Sequence, residues 1–189
     1  MTKNTLFTAL EKLLGVSCKM KRRLVLIGGI ATSLLAKPRA TYDIDGIISL
    51  AEEEIGDFLI LIKKSGFKFD IKKPVKFIEG LPFITFYYPS YKTYIDLFIA
   101  KNEFQRQLIR RAKRVRLKRL SLYIISPEDL ILIKLQTARH KDIEDAREII
   151  LQNKSKLDYL YLEKQANLLG VKVFLKDELR SLGLQGRIR

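Results

Sequence analysis

The residues able to do chemistry in this sequence are three aspartates. Asp43 and Asp45 stand at i and i+2 in DIDGII, a run whose isoleucines predict a strand, so alternation sets both carboxylates on one face. Like charges held that close repel unless a cation lies between them, and oxygen ligands with no histidine or cysteine beside them suit a hard ion such as Mg2+. Asp96, in YIDLF, is a single carboxylate among apolar residues. Buried, it needs a cation, a hydrogen-bond network or a proton, and alternation alone allows it either to join the pair or to face solvent.

A strand and a turn precede the aspartates. Leu24 to Ile27 is an apolar run that stops at Gly28-Gly29, and Ile30 to Ala36 is a short apolar segment broken by Lys37-Pro38. That order predicts strand, glycine turn, short helix. Glycines there let the backbone approach a bound group closely, and a helix start offers N–H groups with partial positive charge, which suits a phosphate.

Gly28-Gly29 followed by Arg39-x-Thr41-x-Asp43-x-Asp45 resembles the active-site signature of the nucleotidyltransferase superfamily with a DNA-polymerase-β-like palm. It most resembles the branch of AbiEii-type toxins and related small prokaryotic proteins. The resemblance implies an α+β (α/β) fold, with a mixed β-sheet palm flanked by helices over residues 1–125 and a C-terminal helical region over 126–189 packed on it. It makes Asp43, Asp45 and Asp96 the catalytic ligands of one or two Mg2+ ions and an NTP the co-substrate. Gly28 and Gly29 would cradle phosphate oxygens, Thr32 or Ser33 would add a hydroxyl, Arg39 would supply charge or brace the aspartates, and Thr41 would orient the loop. Two departures stand out: Gly46 occupies a position expected to be apolar, and no serine directly follows Gly29.

Ser126-Pro127-Glu128-Asp129 predicts a helix start, with a capping serine, proline in the first turn and acids beside it. In the helix that follows, Lys134 interrupts the stripe of Leu130, Ile131, Leu135 and Ala138, and by its own pattern snorkels to water. With Arg139-His140-Lys141-Asp142 and Asp145, this segment resembles a second block of the same superfamily. By that resemblance Lys134 meets a nucleotide phosphate, with Arg139, Lys141 and Asp142 at the rim. Asp142 and Asp145 share a helix face and also suit salt bridges with Arg139 or Arg147.

The chain has 189 residues, 47% of them hydrophobic, enough for a sound core. A formal charge of +15 favours a polyanionic partner. Its densest part runs from Arg106 to Arg119, where Arg106, Arg110 and Lys113 recur at helical spacing; with Arg111 and Arg114 they form a candidate nucleic-acid contact, balanced against an ordinary solvated face. One cysteine, Cys18, excludes an internal disulfide and a multi-cysteine zinc site and reads as a packing residue. No apolar run is long enough to span a membrane, and the expected location is the cytoplasm.

Tyr159, Leu160 and Leu162 read as packing residues of two C-terminal helices divided near Gly170. The function expected is Mg2+-dependent transfer of a nucleoside monophosphate to a hydroxyl, on an RNA end such as tRNA, by the toxin of a toxin–antitoxin pair with an antitoxin partner. The alternatives are a small-molecule or protein acceptor, or a palm that binds nucleic acid without catalysis.

Overall fold

A computed structural model describes residues 5–38, 40–78, 80–89 and 93–188. The chain folds as two compact units that part between Ile125 and Ser126, and the segment from Ala31 goes with the second.

The first unit is built on a mixed sheet. Its strands are β1 (Leu24–Leu26), β2 (Ile44–Ile48), β3 (Lys68–Phe69), β4 (Lys76–Ile78), β5 (Leu81–Tyr88), β6 (Thr93–Ile99), β7 (Lys113–Leu117) and β8 (Leu120–Ile124). They lie in the order β3-β5-β6-β2-β1-β8-β7, with β4 beside β3 on the outer edge of β5. The pairs β2–β6 and β1–β8 are parallel, and the others are antiparallel.

Alternation decides the two faces of this sheet. Ile84, Phe86, Ile95 and Leu97 are fully buried, as are Leu13 of helix α1 (Thr5–Lys19) and Phe58 and Ile62 of α3 (Glu54–Lys64). Ala9, Leu10, Leu13 and Val16 recur at helical spacing and make the buried stripe of α1. Cys18 near the end of that helix is exposed, not packed. Gly66, at φ +90°, follows the last turn of α3.

Between β1 and β2 runs α2 (Gly28–Leu35), starting at the glycine pair itself. After β6 comes α4 (Glu103–Arg111), closed by a capping box between Asn102 and Gln105. The helix ends there. Lys113 and Arg114 belong to β7, where Val115 and Leu117 alternate with charged residues, so the helical face expected through Lys113 does not form.

The second unit is helical: α5 (Pro127–Thr137), α6 (His140–Asn153), α7 (Tyr159–Leu168) and α8 (Lys172–Ser181). Ser126 caps α5 as expected, accepting from the Asp129 amide, and its hydroxyl donates to the Asp129 carboxylate at 2.7 Å. Tyr161 donates to the other oxygen of that carboxylate. Leu162 packs as expected, whereas Leu160 is 80% exposed. Among the described residues no helix is long and apolar enough to cross a membrane.

Candidate active site

Sheet register brings two of the three aspartates together. Asp45 on β2 and Asp96 on β6 are direct partners across a parallel pair, and Thr85 on β5 is the partner of Asp96 on its other side. Partnered residues share a sheet face, so Thr85, Asp96 and Asp45 form one row across three strands. The Thr85 hydroxyl donates to Asp96 Oδ1 at 2.7 Å and fixes the carboxylate's orientation. Asp96 is half-buried, with neighbours on both sides that engage or repel its charge. Thr85 is the site residue that pattern reading missed, because only the register of β5 against β6 reveals it.

Asp43 directly precedes β2 and is exposed. The Thr41 hydroxyl donates to the Asp43 carbonyl at 3.4 Å and so tightens the approach to the strand. Arg39 lies outside the described residues.

Over Asp45 sits the glycine turn. Gly28 has φ +58°, and a Cβ built on it would lie 2.0 Å from Asp45 Oδ2. A Cβ on Gly29 would lie 2.6 Å from the Thr41 hydroxyl. The close backbone approach that the glycines permit is therefore, in the first place, an approach to the protein's own Asp45 and Thr41. The Gly29 amide points at Asp45 Oδ2 from 3.4 Å, so the start of α2 and the carboxylate face each other. Further along α2, Thr32 is buried and Ser33 half-buried. Gly46 also has a reason: a Cβ there would press on Leu97 and Leu24 at 3.1 and 3.2 Å, on the face opposite Asp45.

In the helical unit Lys134 does not snorkel. α5 is buried on several sides, at Leu130, Ile131, Leu132 and Leu135, and Lys134 itself is 8% exposed. It is held instead by Asp142 at 2.5 Å and Asp145 at 2.9 Å. Asp142 also accepts from Thr137 and from Arg139, the latter bridge being the one its spacing suggested. Burial works against the charge of Asp142, but the bonds from Lys134, Arg139 and Thr137 outweigh it and hold the carboxyl below its ordinary range. Arg147 pairs with Glu178 and takes no part in this cluster.

All the carboxylates of the sheet row are oxygen donors, and among the described residues no three His, Cys, Asp or Glu side chains converge into a ready metal cage. That donor set still fits Mg2+, which binds through one or two carboxylates, retains waters and takes its remaining oxygens from substrate phosphates.

A family model for a nucleotidyltransferase of unknown function, DUF6036, matches residues 4–172. The chain belongs to that family.

Solved structures agree on the nucleotidyltransferase fold. The crystal structure of ANT(2″)-Ia in complex with adenylyl-2″-tobramycin is 16% identical, with 88% of this chain and 97% of that one covered, at a TM-score of 0.60. The lincomycin-bound lincosamide antibiotic adenylyltransferase LnuA is 17% identical over 75% of this chain and 94% of its own, at 0.54. An antigenic nucleotidyltransferase-like protein from Paracoccidioides brasiliensis is 20% identical over 93% and 91%, at 0.53. A search of curated proteins by sequence gives no match.

The basic stretch of this nucleotidyltransferase is divided between α4 and the β7–β8 hairpin. Arg106 and Arg110 both pair with Glu103, Arg119 with Glu11, and Arg114 donates to the Ser121 hydroxyl at 2.7 Å. Arg111 is half-buried and Lys113 exposed. His140 is exposed, 3.6 Å from Glu144.

Proposed function

We propose that this nucleotidyltransferase moves a nucleoside monophosphate from an NTP to a hydroxyl of a small-molecule acceptor. The row Thr85–Asp96–Asp45, with its Asp45 end under the Gly28-Gly29 turn, supports this. Two structures with the same fold, one in complex with adenylyl-2″-tobramycin and one bound to lincomycin, support a small acceptor.

Asp45 and Asp96, with Asp43 beside them, would hold Mg2+, which when bound neutralises phosphate charge and acidifies the attacking hydroxyl. Gly28, Gly29 and the first amides of α2 bind phosphate oxygens, with Thr32 and Ser33 lending hydroxyls and Arg39 positive charge. Thr41 sets the path of the chain into Asp43. Asp96, with Oδ1 occupied by Thr85, takes the acceptor's proton on Oδ2. As the acceptor oxygen bonds to the α-phosphorus, the bond to the pyrophosphate oxygen breaks and pyrophosphate leaves.

Lys134 and Asp142 we assign to an ion cluster that holds α5 against α6, and Arg139, with its side chain 76% exposed, is the member offered to a phosphate.

An RNA acceptor is the second reading, favoured by the net charge of +15. The pairing of Arg106 and Arg110 with Glu103 weighs against it. A toxin role with an antitoxin partner belongs to this second reading and rests on the AbiEii-type resemblance alone.

The experiment is incubation with Mg2+ and each labelled NTP, against total RNA and against a mixture of hydroxylated small molecules, with the double variant at Asp43 and Asp45 as control. Label on a small molecule with wild type only supports the proposal. Label on RNA moves the acceptor to the second reading, and label with the double variant overturns the site.

A further inference from the structure

The two strands that carry Thr85 and Asp96 present three successive rungs on one sheet face. Phe83 pairs with Phe98, Thr85 with Asp96, and Tyr87 with Tyr94. The outer rungs are aromatic pairs, with ring centroids 5.7 Å apart for the phenylalanines and 5.9 Å for the tyrosines. They differ in exposure. Phe83 is 9% exposed, whereas Tyr94 is 53% exposed, an unusual position for a large ring on a strand that is otherwise buried at every second residue. The β2–β6 register, continued by one residue from Ile44 and Ile95, also sets Tyr94 beside Asp43.

The row has two ends. Strand order is β5-β6-β2-β1, and the glycine turn rises from the end of β1 over Asp45. Tyr87 and Tyr94 lie on β5 and β6, one rung along from Thr85 and Asp96 and across β2 from the turn. In phosphoryl transfer the attacking and leaving oxygens stand roughly in line on opposite sides of phosphorus. If phosphates occupy the turn, the acceptor enters from the side of the tyrosines.

We propose that Tyr87 and Tyr94 form a stacking ledge for the acceptor, and that the acceptor is a small hydroxylated compound with a flat aromatic ring next to its reacting hydroxyl. This rests on the nucleotidyl-transfer reading given above. The ledge binds the ring by stacking and leaves the hydroxyl over Asp96, one rung away.

The test is saturation-transfer NMR on the full chain with 4-nitrophenyl β-glucoside, which carries a flat aromatic ring, and methyl β-glucoside, its counterpart without an aromatic ring. Alongside it, binding of a fluorescent NTP with Mg2+ is measured for each protein. The aromatic glucoside, the ring compound, is expected to bind at least tenfold more tightly than the methyl glucoside, with Tyr94→Ala lowering its affinity roughly tenfold and Tyr94→Phe retaining it. Fluorescent-NTP binding is expected to be the same in all three proteins.

Equal affinity of the two glucosides, binding of neither, or unchanged ring binding in Tyr94→Ala overturns the ledge. Loss of NTP binding in Tyr94→Ala also overturns it, because the rings then serve the nucleoside. Displacement of the ring compound by micromolar single-stranded RNA overturns the small-molecule assignment in favour of a stacked base. A wild-type protein that binds the ring compound and no NTP overturns the nucleotidyl-transfer reading, and the acceptor assignment falls with it.

Discussion

Asp45 and Asp96 are partners in register across the parallel strands β2 and β6, 51 positions apart in the chain by their numbering and adjacent in the sheet. Asp96 is steadied from its other side by Thr85. Asp96→Asn keeps the shape and removes the proton acceptor, and is expected to lower transfer about 10²- to 10⁴-fold. Thr85→Val is expected to lower it roughly ten- to a hundredfold, since a hydrogen bond to a charged group contributes roughly 1.5–3 kcal/mol. Single-turnover assays at saturating NTP measure both, and full activity in Asp96→Asn would remove Asp96 from the mechanism.

Two glycines separate site geometry from packing. Gly28→Ala puts a methyl group onto Asp45 in a left-handed backbone, which costs about 1–2 kcal/mol from conformation alone and displaces the carboxylate. Transfer is expected to be lost. Gly46→Ala crowds Leu97 and Leu24 on the opposite face and is expected to cost about 1–3 kcal/mol while leaving NTP affinity intact. Urea titration with fluorescent-NTP binding distinguishes them.

Lys134 pairs with two buried carboxylates. Lys134→Met removes that buried charge partner from Asp142 and Asp145, and the expected loss of stability is about 3–5 kcal/mol. Urea unfolding reads it directly. A variant that keeps its stability and loses NTP binding would return the lysine to the role of a phosphate contact.

The same cluster sets a pH dependence. The carboxyl of Asp142 ionises more readily in the folded protein than its ordinary value of about 3.9, so its contribution is complete above that value and is lost as pH falls through the lower folded one. Thermal unfolding between neutral pH and the acid limit should show a flat region and then a decline. In Asp142→Asn that decline should shrink.

The palm was legible because its signals are local. Gly28-Gly29 ahead of Asp43-x-Asp45 needs only a turn and a strand to make sense, and the capped start of α5 at Ser126-Pro127 is written in consecutive residues. The readings that changed depended on partners far away in the chain. By its stripe alone Lys134 reads as a snorkelling lysine, and by resemblance as a phosphate contact, because the stripe is visible in sequence and the carboxylates that hold the ammonium are not. Lys113 looked helical by spacing, but α4 stops at Arg111 and pairing with β8 makes the next residues a strand.

By itself the sequence determined which residue types were on offer: an aspartate pair with oxygen-only chemistry, a glycine turn ahead of it, and a strongly positive charge. Tertiary structure decided which groups face one another. Strand register is a long-range property set by backbone pairing and by which face is buried, so only folding could set Asp96 against Asp45, bring Thr85 to Asp96, and turn Tyr87 and Tyr94 out beside them.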